Sequence, residues 1–202
     1  MDLSHGKFEP DVSPSGIIDQ MQPAIFLDRD GVIIENIPTY VRSWKDVKFI
    51  PQAIDALVKV RSTPYRIVII TNQSAVGRRI ISAQEAWAIN DCIVQAIEQA
   101  GGRIDGTFMC PHDPLEGCNC RKPKPGLILQ AAEDLAINLT NSYLMGDSIS
   151  DLLAGQAANV GQTVLVRTGR GASQEKLPYP YQLKPFLSYD SLALALSDLI
   201  TP

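Results

Sequence analysis

The chain has 202 residues, of which 45% are hydrophobic and 20% charged, and a formal net charge of −4. That length suits one domain around a single core, and the acidic balance argues against a nucleic-acid or anionic-membrane surface. No apolar run approaches the roughly 20 residues that span a bilayer, and residues 1–22 lack the apolar centre of a secretory signal. The expectation is a cytoplasmic monomer, with a loosely attached extension over residues 1–22 and one domain over 23–202.

The first strand expected is Ala24–Leu27, a short continuous apolar run. It leads into Phe26-Leu27-Asp28-Arg29-Asp30-Gly31-Val32, where two carboxylates stand two residues apart. In extended chain, residues i and i+2 point the same way, so Asp28 and Asp30 leave the strand side by side. Two like charges held together need a cation or a shared proton. Mg2+ favours carboxylate and phosphate oxygens. The pair reads as an Asp28 nucleophile beside an Asp30 acid/base acting on a phosphate ester. The alternative is a strand end followed by an Asp-Gly turn.

A helix over 53–61 places Ile54, Leu57 and Val58 on one face. The next strand, 66–71, runs into Thr71-Asn72-Gln73-Ser74, whose hydroxyls and backbone N–H groups suit phosphate oxygens or a simple turn. Ser82 and Glu85 match a capping box opening a helix to 100, closed by Gly101-Gly102. A strand over 107–110 then enters a stretch holding Cys110, His112, Cys118 and Cys120. Pairs at i and i+2 separated by a short turn can surround one tetrahedral Zn2+, and three Cys with one His leave no open position, so the site reads as structural. A Cys110–Cys118 disulfide is the alternative, disfavoured in a reducing compartment. With His112 committed to metal, only His5 remains, and a serine- or cysteine-hydrolase triad has no histidine to use.

Arg121 and Lys122 follow in a basic loop ahead of a helix over 126–136. Lys122 suits the charge between nucleophile and phosphate, and Arg121 a second anionic group. A strand over 142–145 delivers Gly146-Asp147-Ser148, placing Asp147 to complete the cation site. Asp151, one helical turn further on, would orient it or bind a metal water. A helix over 150–158, a strand over 163–167, a loop marked by Pro178, Pro180 and Pro185, and a last helix over 190–200 complete the chain. Strands alternating with helices imply right-handed crossovers, an α/β doubly wound parallel sheet covered on both faces, and a site outside the strands' carboxyl ends. No insertion is long enough for a large cap domain.

Taken in order, the Asp28-Arg29-Asp30-Gly31 motif, Thr71-Asn72-Gln73-Ser74, the Cys/His loop running into Arg121-Lys122-Pro123, and Gly146-Asp147 resemble the haloacid dehalogenase-like phosphatases. Within them the chain is most similar to the D-glycero-D-manno-heptose-1,7-bisphosphate 7-phosphatase and histidinol-phosphatase group, over roughly residues 24–171. The resemblance implies Mg2+ on Asp28, the Asp30 carbonyl and Asp147. It implies that Thr71 and Lys122 hold the transferring phosphoryl group, and that Asn72, Gln73, Ser74 and Arg121 contact substrate. It also implies zinc on Cys110, His112, Cys118 and Cys120. Three departures bear on substrate: Ala75 where the family usually has Gly, Arg78-Arg79 where it has Arg-Gly, and Asn36-Ile37-Pro38-Thr39-Tyr40 in place of its substrate loop. The expected activity is Mg2+-dependent removal of phosphate from a small phosphorylated metabolite through an aspartyl-phosphate, first a heptose 1,7-bisphosphate and next histidinol phosphate. A nucleic-acid 3′-end phosphatase and a zinc-organised scaffold without catalysis are the readings from other classes.

Overall fold

The computed structural model describes residues 21–200. Residues 1–20, most of the expected extension, lie outside that range. Gln22 is already tied down, donating its N–H to Ala136 O at 3.1 Å and accepting from Asn138 N at 2.9 Å.

Six parallel strands form one sheet: β1 (Ala24–Leu27), β2 (Arg66–Asn72), β3 (Gly106–Cys110), β4 (Tyr143–Gly146), β5 (Gln162–Val166) and β6 (Leu187–Tyr189). Their order is β3-β2-β1-β4-β5-β6. The chain winds outward from β1 through β2 to β3, then returns to the other side of β1 and winds outward again. The winding direction reverses between β1 and β4, and crevices form at the carboxyl ends of strands that part in this way. Register places Leu27 beside both Ile69 and Met145, so the residues following β1, β2 and β4 emerge together.

The period-2 geometry of a strand splits the core into two. Ile25, Leu27, Ile67 and Ile69 face α1 (Ala53–Val60), α3 (Ala83–Gln99) and α7 (Leu192–Leu199), meeting Leu57, Ile93, Ile97 and Leu196. Ala24, Phe26, Val68 and Ile70 face α4 (Gly126–Asp134) and α5 (Ile149–Ala157), meeting Leu127, Ile128, Ala131 and Ala154. Both faces of β1 are therefore dry, which is why its four residues are continuously apolar. Each such Leu, Ile or Phe contributes about 1.5–3 kcal/mol by leaving water.

Local signals fix the helix starts. The Ser82 hydroxyl accepts from Glu85 N at 3.1 Å, and Glu85 Oε2 accepts from Ser82 N at 2.7 Å, closing the expected box at α3. Gly101 takes φ +91° just past its end. Ser191 caps α7, accepting from Leu194 N at 3.3 Å. The short helices α2 (Ser74–Gly77) and α6 (Gly171–Gln174), and the edge strand β6, fall where loops are expected from sequence.

Candidate active site

Asp28 follows β1 and is 6% exposed, with its N–H bonded to Met145 O at 3.0 Å. Its Oδ1 accepts from Arg29 N at 2.8 Å and from Lys122 Nζ at 2.9 Å. Lys122 reaches Asp28 from the loop before α4 and is fully enclosed. Its ammonium also donates to Asp151 Oδ1 at 2.7 Å and to Ile70 O at 2.9 Å. Three donors thus meet three acceptors, and no charge of the ammonium is left unpaired. Burial works against the charged ammonium, but Asp151 and Asp28 outweigh it and hold Lys122 above its usual range. Burial likewise pushes the Asp28 carboxyl up. Lys122 pulls it back, the carboxylates of Asp151, Asp147 and Asp30 repel it, and the balance stands at about 7.

Asp147 follows β4 and is completely buried. Oxygens of Asp28, Asp147 and Asp151 all lie within 4.8 Å of one another, a spacing that a hard divalent cation can share. Burial and the charge of Asp151 raise Asp147, while Arg170 lowers it. Arg170, absent from the sequence-derived set, donates to Asp147 Oδ2 from its backbone N–H at 2.8 Å and to Oδ1 from Nη2 at 3.2 Å. Two glycines make room for this carboxylate. Gly31, at φ +88°, and Gly169, at φ +55°, both lie so close to Asp147 that a Cβ on either would overlap its Oδ2.

Asp30 is oriented by the protein on two sides. Arg29 donates to it from Nε at 3.1 Å and Nη2 at 3.2 Å, and Gln73 Nε2 donates to Oδ2 at 2.8 Å. The same Gln73 nitrogen lies 2.8 Å from Thr71 Oγ1, at the end of β2. Gln73 and Asn72, both expected as substrate contacts, have hydrogen-bond partners within the protein. Gln73 is buried and spends its amide on Asp30 and Thr71. Asn72 accepts from Lys122 N at 3.2 Å and donates to Lys122 O at 3.1 Å, clipping the lysine's backbone to β2. Ser74 is buried at the start of α2, and Arg121 is half-buried, donating to His112 O at 3.4 Å.

The Cys/His stretch closes on itself below this loop. Cys110 and Cys118 sulfurs are 3.6 Å apart, Cys120 lies 3.3 and 3.4 Å from them, and His112 Nδ1 is 3.2 Å from Cys120 and 3.6 Å from Cys110. A tetrahedral zinc with Zn–S about 2.3 Å and Zn–N about 2.0–2.1 Å needs edges of roughly 3.8 and 3.5 Å, so the donor set fits that ion with small adjustment. The cysteines are free thiols, and the Cys110–Cys118 disulfide is not formed. Burial, with the hydrogen bonds that the Cys120 thiol donates to the Cys110 and Cys118 sulfurs, pushes Cys120 up to about 12.

Arg78 joins the remaining loops. Its Nε donates to Asp113 Oδ2 at 2.7 Å and its Nη1 to the Tyr40 hydroxyl at 2.8 Å, so residues 36–40 are tied to the Cys/His loop. Arg79 takes φ +59°, a conformation that glycine adopts without steric cost. No helix among the described residues is long and apolar enough to cross a membrane.

Comparison with known proteins identifies the family. A family model described as HAD-hydrolase-like matches residues 119–195. The D-glycero-beta-D-manno-heptose-1,7-bisphosphate 7-phosphatase of Yersinia pestis is 38% identical, over 77% of this chain and 86% of its own. That of Escherichia coli strain K12 is 37% identical, over 76% and 83%. The crystal structure of D,D-heptose 1,7-bisphosphate phosphatase from B. bronchiseptica, complexed with magnesium and phosphate, matches with a TM-score of 0.80 and 31% identity. The match covers 88% of this chain and 98% of that one. The chain therefore belongs to the heptose-1,7-bisphosphate 7-phosphatase family of haloacid dehalogenase-like hydrolases, a family of enzymes that cleave phosphate esters.

Proposed function

We propose that the protein hydrolyses D-glycero-D-manno-heptose 1,7-bisphosphate, releasing the 7-phosphate through an aspartyl-phosphate on Asp28. The observation that carries this reading is the convergence of Asp28, Lys122 and Asp147 at adjacent strand ends, in a chain of this family. Asp28 Oδ1 is held by Lys122 and Arg29 N, which leaves Oδ2 to attack phosphorus. As that P–O bond forms, the bond to the sugar oxygen breaks, and Asp30 gives its proton to the departing oxygen. Water then attacks the same phosphorus with Asp30 taking its proton, and phosphate and free Asp28 result. Thr71 and Lys122 supply a hydroxyl and a fixed positive charge to the phosphoryl oxygens.

Asp28, Asp147 and the Asp30 carbonyl would hold Mg2+, with Asp151 as its outer support. The ion supplies positive charge against the phosphoryl group when bound. Cys110, His112, Cys118 and Cys120 would hold a structural zinc that stiffens the loop carrying Arg121 and Lys122. Arg121, Ser74 and the rim formed by Arg78 and Tyr40 are the groups for the rest of the substrate. Phosphate release with Mg2+ from both anomers of the heptose bisphosphate, from histidinol phosphate and from a 3′-phosphorylated oligonucleotide tests the reading. A preference of about tenfold or more for one heptose anomer is expected, with Asp28→Asn inactive. Comparable slow release from every substrate would overturn it.

A further inference from the structure

Arg29 stands between the two aspartates of the first loop, where an arginine would ordinarily be solvated, yet it is 1% exposed. Its guanidinium is divided between two partners. Nε and Nη2 go to the Asp30 carboxyl, while Nη1 donates to Asn90 Oδ1 at 2.6 Å. Asn90 lies within α3, is itself 1% exposed, and turns its Nδ2 toward Met109 Sδ on β3 at 3.7 Å. Among the described residues, α3 contributes no other polar side chain to this network.

We propose that Asn90, acting through Arg29, is a positioning residue for the Asp30 carboxyl, so that a helix outside the phosphate pocket sets the efficiency of proton transfer. The physical reason is the rigidity of the guanidinium. Its donors form a planar fork in fixed relation, so an acceptor at position 90 dictates where Nε and Nη2 point. Without that acceptor, Nη1 is a buried donor with no partner, a state proteins avoid by turning the group. Asp30 would move with it, held then by Gln73 alone. Proton transfer needs the carboxyl within about 2.6–3.2 Å of the ester oxygen, and small misplacements weaken it steeply.

The inference rests on Asp30 being the general acid, and leaving-group dependence tests both. In sugar-phosphate cleavage the electron pair of the breaking P–O bond ends on an alkoxide-like oxygen, which needs the Asp30 proton. A nitrophenyl phosphate expels a stable phenolate and needs little help. The measurement is the ratio of kcat/KM on heptose 1,7-bisphosphate to kcat/KM on 4-nitrophenyl phosphate, which reports the leaving-group step and not the shared hydrolysis of the aspartyl-phosphate, taken on one preparation so that any unfolded fraction cancels. Asp30→Asn serves as reference.

Asn90→Leu is expected to lower the ratio by about tenfold or more, part of the 10²–10⁴-fold worth of a general acid. Arg29→Lys, which keeps the charge and loses the fork, should do the same. Asn90→Asp, which keeps the acceptor, should stay within about threefold of the parent. Equal losses on both substrates in Asn90→Leu and Arg29→Lys, with Asp30→Asn selective for the sugar phosphate, would overturn the brace alone. An Asp30→Asn ratio equal to the parent's would overturn the acid assignment and the brace with it.

Discussion

Replacing Lys122 by Met removes the cation at the centre of the carboxylate cluster while keeping most of the side chain's volume. The ammonium contacts Asp28 at 2.9 Å, Asp151 at 2.7 Å and Ile70 O at 2.9 Å, with every partner buried. Removing one member of a buried ion pair costs about 3–5 kcal/mol. Two carboxylates share this cation, so the upper figure applies, and about 5 kcal/mol corresponds to a fall of roughly 10–20 °C in Tm for a chain of this size. The deficit should depend on pH. In the magnesium-free parent, Asp28 stands at about 7, above its unfolded value of about 3.9. The folded chain then holds a proton that the unfolded chain has released, so stability falls as pH rises from about 4 to about 7. Without Lys122 the carboxyl is pushed higher still. The variant's deficit should be smallest near pH 4, where the cluster can neutralise itself, and should grow toward pH 7.5. Thermal unfolding followed by circular dichroism in magnesium-free buffer measures it. A loss below about 1 kcal/mol at pH 7.5, or one unchanged between the two pH values, would refute the reasoning.

Gly31→Ala forces a Cβ into the Asp147 carboxylate and a strained φ. It should cost about 1–3 kcal/mol of stability and roughly 10²-fold in turnover, and parent-like rates would contradict the close approach. Cys118→Ser should lower bound zinc, measured by mass spectrometry of the purified chain, from one per molecule toward none, and lower the Tm with it. Full zinc content would show that the Cys/His stretch is not the site. Arg170→Gln removes the half-exposed guanidinium from Asp147 Oδ1, a contact worth about 1 kcal/mol, and leaves the backbone N–H on Oδ2. Magnesium affinity by calorimetry should therefore rise by a factor of about five, and an unchanged or weaker affinity would count against the competition.

The parts legible in sequence are those whose cause is local or periodic. Continuous apolar runs marked β1, β2 and β4 because both faces of those strands are covered. Ser82 with Glu85, and Ser191, marked helix starts because the capping atoms lie within three residues. The carboxylates and Lys122 were legible as well, because strand exits converge at a reversal of winding. What escaped depends on distant partners. Arg29 reads as solvated until Asn90, sixty-one positions away, is brought to it. Arg170 carries no signal until Asp147 lies beside it. Asn72 and Gln73 look like free polar groups in sequence because nothing local reveals that Lys122 and Asp30 consume their amides. β6 is three residues with no apolar run, and it pairs only because β5 offers an edge.

Lys122 is fastened through side chain and backbone to β1, to β2 and to the first turn of α5. With the roles proposed above, turnover requires segments from position 28 to position 170 to be in place together, and a fragment lacking any of them would lack part of the centre. On that reading, catalytic rate is a gauge of whether residues 28–170 are folded together. Variants selected for activity will carry a filter for structural integrity within the same measurement.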